Sequence, residues 1–250
     1  MRPISDTKWI ECVAPTGEKL VFVGRPEMRD RHKSVVLLIH DVLSSPENLA
    51  GWFAHLEPEA EVLLSVLPGH GNAPHLRPAG LDDLVSALDQ CLRTMVPRRR
   101  VLVVGAGFGG LVALGLNNRG YACVAVDPML STSRLWPLGD ALADAQLRGV
   151  GLDPDFLFET FGWRDGALAE PRSYGQLLDR LKAPAMVICG DVPLEPRGDA
   201  APSWLDEADH ALLAAYPATR VQVIDGCGHD LLAAAPDACR DIILDELARA

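Results

Sequence analysis

The run from Val101 to Gly110, Val-Leu-Val-Val-Gly-Ala-Gly-Phe-Gly-Gly, constrains this chain more than any other stretch. Four apolar residues followed by glycine at 105, 107, 109 and 110 call for a buried strand, a tight turn and a closely packed helix. Two patterns share that shape. Gly105, Gly107 and Gly110 fit Gly-x-Gly-x-x-Gly, in which backbone N–H groups cradle a pyrophosphate. Asp127, 22 residues beyond Gly105, then stands where a ribose-binding acid belongs. The same run fits Gly-x-Ser-x-Gly, a turn that presents a nucleophilic hydroxyl at the tip of a strand, but Gly107 holds the serine's place. The run by itself does not choose between them.

Its surroundings do. Upstream, Ser34-Val-Val-Leu-Leu-Ile-His40-Asp41 reads as an apolar strand ending in histidine, and Pro68-Gly69-His70-Gly71 closes a second strand, Val62 to Leu67. Downstream, a late strand ends in Gly228-His229, and a helix opened by Pro236 runs to the C-terminus. With these landmarks in this order, the chain resembles the α/β-hydrolase superfamily over almost its whole length. The family's sequence has a His-Gly after the third strand, a Pro-Gly-His-Gly-type turn after the fourth, the nucleophile elbow after the fifth and a catalytic histidine after the eighth. A dinucleotide site explains none of the other three landmarks. The resemblance implies one α/β domain over 1–250, with a mostly parallel eight-stranded sheet and helices on both faces. It also implies a small helical lid at about 129–182.

The strand pattern agrees. Lys8 to Val13 and Lys19 to Val23 flank Pro15-Thr16-Gly17 and predict an opening hairpin. Continuous apolar strands at Val35–Ile39, Val62–Leu67, Val101–Val104, Cys123–Val126, Ala185–Cys189 and Arg220–Ile224 alternate with helix-length segments, as in a sheet covered on both faces. Leu81 to Met95 carries apolar residues at helical spacing, with Asp82 and Asp83 in its first turn. From Met129 to Lys182 the alternation stops. Leu135, Trp136, Phe156, Phe158, Phe161 and Trp163 gather there, as a lid's own core or as the wall of a pocket.

A net charge of −11 argues against nucleic acid or an anionic membrane as partner. The basic clusters Arg25 to Lys33 and Arg98-Arg99-Arg100 each precede a strand and read as solvated loops. There is no signal-type segment and no apolar run of about 18 residues to span a bilayer. Six cysteines show no disulfide or metal-ligand spacing, so a reduced, cytoplasmic protein without metal or cofactor is expected.

Acyl transfer on the resembled fold needs a hydroxyl nucleophile, a histidine base, a carboxylate to hold the imidazole, and two N–H groups for the oxyanion. By resemblance, His229 keeps the base position, Val42 and Phe108 supply the oxyanion N–H groups, and Gly107 leaves the nucleophile position vacant. The acid position falls on Pro193, so Asp191 and Glu195 are displaced candidates for the carboxylate. His40-Asp41 replaces the family's His-Gly. Asp41 would oppose an oxyanion unless it turns away, serves as a base, or is simply a surface acid. His70 reads as structural, as does Asp127 in Val-Asp-Pro. Cys227 lies on the wrong loop for a substitute nucleophile. Three functions remain open: a binding, scaffold or regulatory module without serine chemistry; a cofactor-free lyase, isomerase or cyclase using His229; or an esterase or thioesterase whose serine was replaced. The expected partner is a small molecule under the lid or another protein. Restoring serine at 107 is expected to give little activity, because Pro193 deprives His229 of its acid.

Overall fold

A computed structural model describes residues 7–25, 32–42, 44–71, 73–76, 80–134, 136–147, 152–195 and 201–250. Leu135 and residues 26–31 of the first basic cluster lie outside them, as do residues 1–6 of the N-terminal stretch.

The strands are β1 (Lys8–Val13), β2 (Lys19–Gly24), β3 (Val35–Ile39), β4 (Glu61–Val66), β5 (Val101–Ala106) and β6 (Ala122–Val126), followed by β9 (Ala185–Gly190) and β10 (Thr219–Ile224). They form one eight-stranded sheet in the order β1-β2-β4-β3-β5-β6-β9-β10. β1 and β2 form the antiparallel hairpin, β2 meets β4 antiparallel, and every later pairing is parallel. β3 and β5 are buried almost throughout, which accounts for their continuous Val/Leu/Ile runs.

One face of the sheet carries α2 (Leu81–Met95) and α3 (Phe108–Asn117); the other carries α1 (Trp52–Leu56) and α8 (Pro236–Arg249). α2 turns Leu84, Val85, Leu88 and Leu92 into the core, and Asp83 accepts a hydrogen bond from the Gly80 N–H at its start. α6 (Glu207–Ala214) crosses from β9 to β10, and the short α7 (Leu231–Ala234) follows β10.

Between β6 and β9 lie α4 (Trp136–Leu147), α5 (Pro154–Phe161) and a two-residue-per-strand hairpin, β7 (Trp163–Arg164) with β8 (Ala167–Leu168). Phe156 and Phe161 are buried edge-to-face against Phe108, with ring centroids 5.4–5.6 Å apart. These aromatics therefore belong to the main core. Phe158 instead meets the Arg164 guanidinium, 3.5 Å from its ring centroid. Among the described residues, no helix is long and apolar enough to cross a membrane.

Register across the middle of the sheet positions the site. Ile39 pairs with Gly105, and Ala106 pairs with Val126. Two residues beyond Ile39 and Gly105 come Asp41 and Gly107, and one residue beyond Val126 comes Asp127. The three thus share a row at the carboxyl ends of β3, β5 and β6. Strand order reverses between β3 and β5, where open α/β sheets form their crevice.

Candidate functional site

The elbow is present. Gly107 has φ 53° and ψ −114° and caps α3, and its N–H is held by the Val126 carbonyl at 2.9 Å. A side chain in such a conformation stores about 1–3 kcal/mol of strain, which glycine avoids. Neighbouring glycines serve close approach: a Cβ on Gly105 would stand 1.9 Å from the Gly109 carbonyl oxygen, and one on Gly109 would stand 2.5 Å from that of Ile39. The Gly107 N–H thus faces the Val126 carbonyl, and Asp127 is turned to Ser203, Trp204 and His229.

Gly107 has an occupant over it. A Cβ there would lie 2.1 Å from Asp41 Oδ1. The Asp41 carboxylate accepts the Phe108 N–H at 2.7 Å through Oδ1 and faces His229 Nε2 at 3.1 Å through Oδ2. Asp41 therefore neither turns away nor lies on the surface; its side chain is 14% exposed and fills the place of a nucleophile side chain.

The acid that holds His229 is Asp127. His229 Nδ1 lies 2.7 Å from Asp127 Oδ2. That carboxylate is fully buried and also accepts the Ser203 hydroxyl at 2.5 Å and the Trp204 N–H at 2.7 Å. The expectation for Asp191 and Glu195 is corrected here: both are exposed, Asp191 Oδ1 accepts the Gly226 N–H at 2.7 Å, and neither meets His229. They line a separate cleft of about 450 Å³ with Arg134, Asp206 and His210. Asp127 was readable, since it directly ends the strand beside the elbow strand. Placing the acid after β9 hid it. The loop after β6 carries it at φ 44°, which aspartate tolerates better than most residues.

His229 is stacked on the Trp204 indole, with centroids 3.6 Å apart and planes 8° apart. Burial lowers its pKa, but the hydrogen bonds and charges of Asp127 and Asp41 outweigh burial and push it up to about 10. The ring is therefore an imidazolium near pH 7, donating from both nitrogens. His40 is the opposite case. Burial, aided by the nearby His70, lowers its pKa to about 3. His40 Nε2 accepts the Leu67 N–H at 3.0 Å, so Nδ1 carries the proton and donates it to the Asp41 carbonyl at 2.8 Å. His40 thus ties the β3 loop to the end of β4 and is not a pocket group. His70 is buried against it and bonds the Pro68 carbonyl.

Asp41, Val42 and His229 line a cleft of about 520 Å³ with Ser44, Asn48, Leu49 and residues 230–233. It opens between the β3 loop and α7, and none of its described lining residues comes from 129–182. Phe156 and Phe161 of that segment pack on Phe108. Among the described residues, no cluster of three or more metal-ligating side chains occurs.

Comparison with known proteins places this geometry. An AB hydrolase superfamily protein of Gibberella zeae is 29% identical over 136 residues, 50% of this chain and 48% of that protein; the chain spans about half the length of this curated relative. Three solved structures cover nearly the whole fold. Carboxylesterase CesB of Bacillus subtilis has a TM-score of 0.70 at 12% identity, covering 98% of this chain and 92% of its own. An esterase of Pyrococcus furiosus has a TM-score of 0.69 at 17% identity, with 98% and 92% covered. The enol-lactonase of Burkholderia xenovorans has a TM-score of 0.67 at 17% identity, with 96% and 100% covered. At such identities these structures show the fold alone. Residues 36–242 match the Alpha/beta hydrolase family, and this chain belongs to it.

Proposed function

We propose that this member of the family performs no serine-based ester hydrolysis and acts as a ligand-binding or regulatory module built on a degenerate triad. The observation that carries the reading is the Asp41 carboxylate over Gly107. It takes the Phe108 N–H that an oxyanion would need, and a carboxylate there repels developing negative charge. The charge state of His229 argues against the rival reading of a lyase, isomerase or cyclase that uses it as a base. An imidazole with a pKa of about 10 has little free base to offer near neutrality. The fit of Asp41 over Gly107 argues against an esterase whose serine alone was exchanged, since that exchange would not install the carboxylate. Five of the six cysteines are buried, which supports a reducing, cytoplasmic setting.

The test is catalytic silence. Purified protein should leave activated esters and thioesters at their aqueous rate and take no label from a fluorophosphonate. Turnover above that background, or a labelled serine beside His229, would overturn the reading.

A further inference from the structure

The cleft beside His229 differs in charge and donor balance from a pocket that receives an ester. Leu49, Ala106 and Ala233 supply apolar surface, and Asp41, His229 and Asp230 bring charge to it. No lysine or arginine is among its described lining residues. Two anion-binding groups beside it are already engaged: the Phe108 N–H by Asp41, and the imidazolium by Asp41 and Asp127 together. The Asp41 carboxylate keeps acceptor capacity. A carboxylate oxygen has about two acceptor sites. Each Asp41 oxygen has one protein partner, and its side chain still reaches solvent. Counting Asp41, Asp230 and the imidazolium, the lining is net negative, with the Asp127 charge behind it.

We infer that this cleft binds an organic ammonium ion with an apolar body, the ammonium on Asp41 and the body along Leu49, Ala106 and Ala233. This rests on the binding reading above and names its ligand class. A carboxylate of the same shape would meet two like charges, with the Phe108 N–H already taken by Asp41. The cleft volume, about 520 Å³, suits a molecule of small-drug size.

Three probes of one shape decide it: 2-phenylethylammonium, 2-phenylethanol and phenylacetate, titrated at neutral pH by calorimetry and by NMR of the His229 ring. The ammonium should bind about tenfold or more tighter than the alcohol, a difference of about 1.4 kcal/mol, and the carboxylate should bind weakest. Asp41→Asn should weaken the ammonium about tenfold. Ala233→Trp, at an exposed position on the cleft wall, should block it without changing the melting temperature. If Asp41→Asn does not fold, the Ala233→Trp result decides alone. Phenylacetate binding as tightly as the ammonium, ammonium binding indifferent to Ala233→Trp, or no ammonium binding in the millimolar range would overturn the inference. Such failure leaves the esters untouched, whereas failure of the functional reading appears as ester turnover.

Discussion

At the scale of the residue, a carboxylate and a glycine share one small volume. The 2.1 Å approach of a Cβ to Asp41 Oδ1 means that serine at 107 and aspartate at 41 compete for the same space. Gly107→Ser alone should therefore show no ester hydrolysis, and should lose stability by about 1–3 kcal/mol in urea unfolding. Joined with Asp41→Gly, the same serine gains a free Phe108 N–H and a His229 still oriented by Asp127. Its rate on activated esters should exceed that of the single variant by about 10²-fold or more, the scale of one oxyanion donor. Adding Asp127→Asn should abolish the gain, since loss of the orienting acid can cost about 10⁴-fold. The low expectation for serine restored alone thus stands on a different cause. The obstacle is Asp41, not Pro193. Sequence named Gly107, Asp41, Phe108 and His229 but could not bring them together, because contact between loops 188 residues apart follows from strand register, not local pattern.

At the scale of the element, the elbow helix depends on backbone packed against backbone. Gly109→Ala would drive a methyl to 2.5 Å from the Ile39 carbonyl oxygen, where neither partner is a flexible side chain. It should cost about 2–3 kcal/mol, read as a lower denaturation midpoint. Gly51→Ala is the control: nothing lies within 4 Å of the added carbon and its φ is −60°, so stability should hold or rise by about 0.4–1 kcal/mol. The glycine run announced this dependence, and the apolar strands announced the sheet to within a residue or two at each end. The segment from Met129 to Lys182 was less legible. Its aromatics have no sequence signal that separates a pocket wall from core, and packing on Phe108 decided the matter.

At the scale of the whole molecule, the Asp–His–Asp contact clasps the loops after β3, β6 and β10, so its protonation should register in global stability. His229 has a folded pKa of about 10, above the ordinary 6.5. The stabilisation it lends is complete below about 6.5 and is lost as pH rises through about 10, because the unfolded chain releases the proton first. The melting temperature should fall over that alkaline interval by the equivalent of a few kcal/mol, since each tenfold gain in proton affinity on folding is worth about 1.4 kcal/mol. In Asp127→Asn the decline should be smaller, from a lower starting stability. An alkaline profile identical in both proteins would disprove the linkage. Fold class was readable at this scale because four landmarks kept their order along the chain. Which face the cleft opens on was not, because it depends on how the loops fill with side chains.

The shared volume above Gly107 also orders history. Of the four pairings of glycine or serine at 107 with glycine or aspartate at 41, three fit and one collides. A lineage moving by single substitutions between the serine enzyme and this chain has one road, through glycine at both positions. A reversal that begins at 107 meets the collision at its first step. The aspartate acts as a ratchet: once it occupies the hollow, serine cannot enter at 107 in one move.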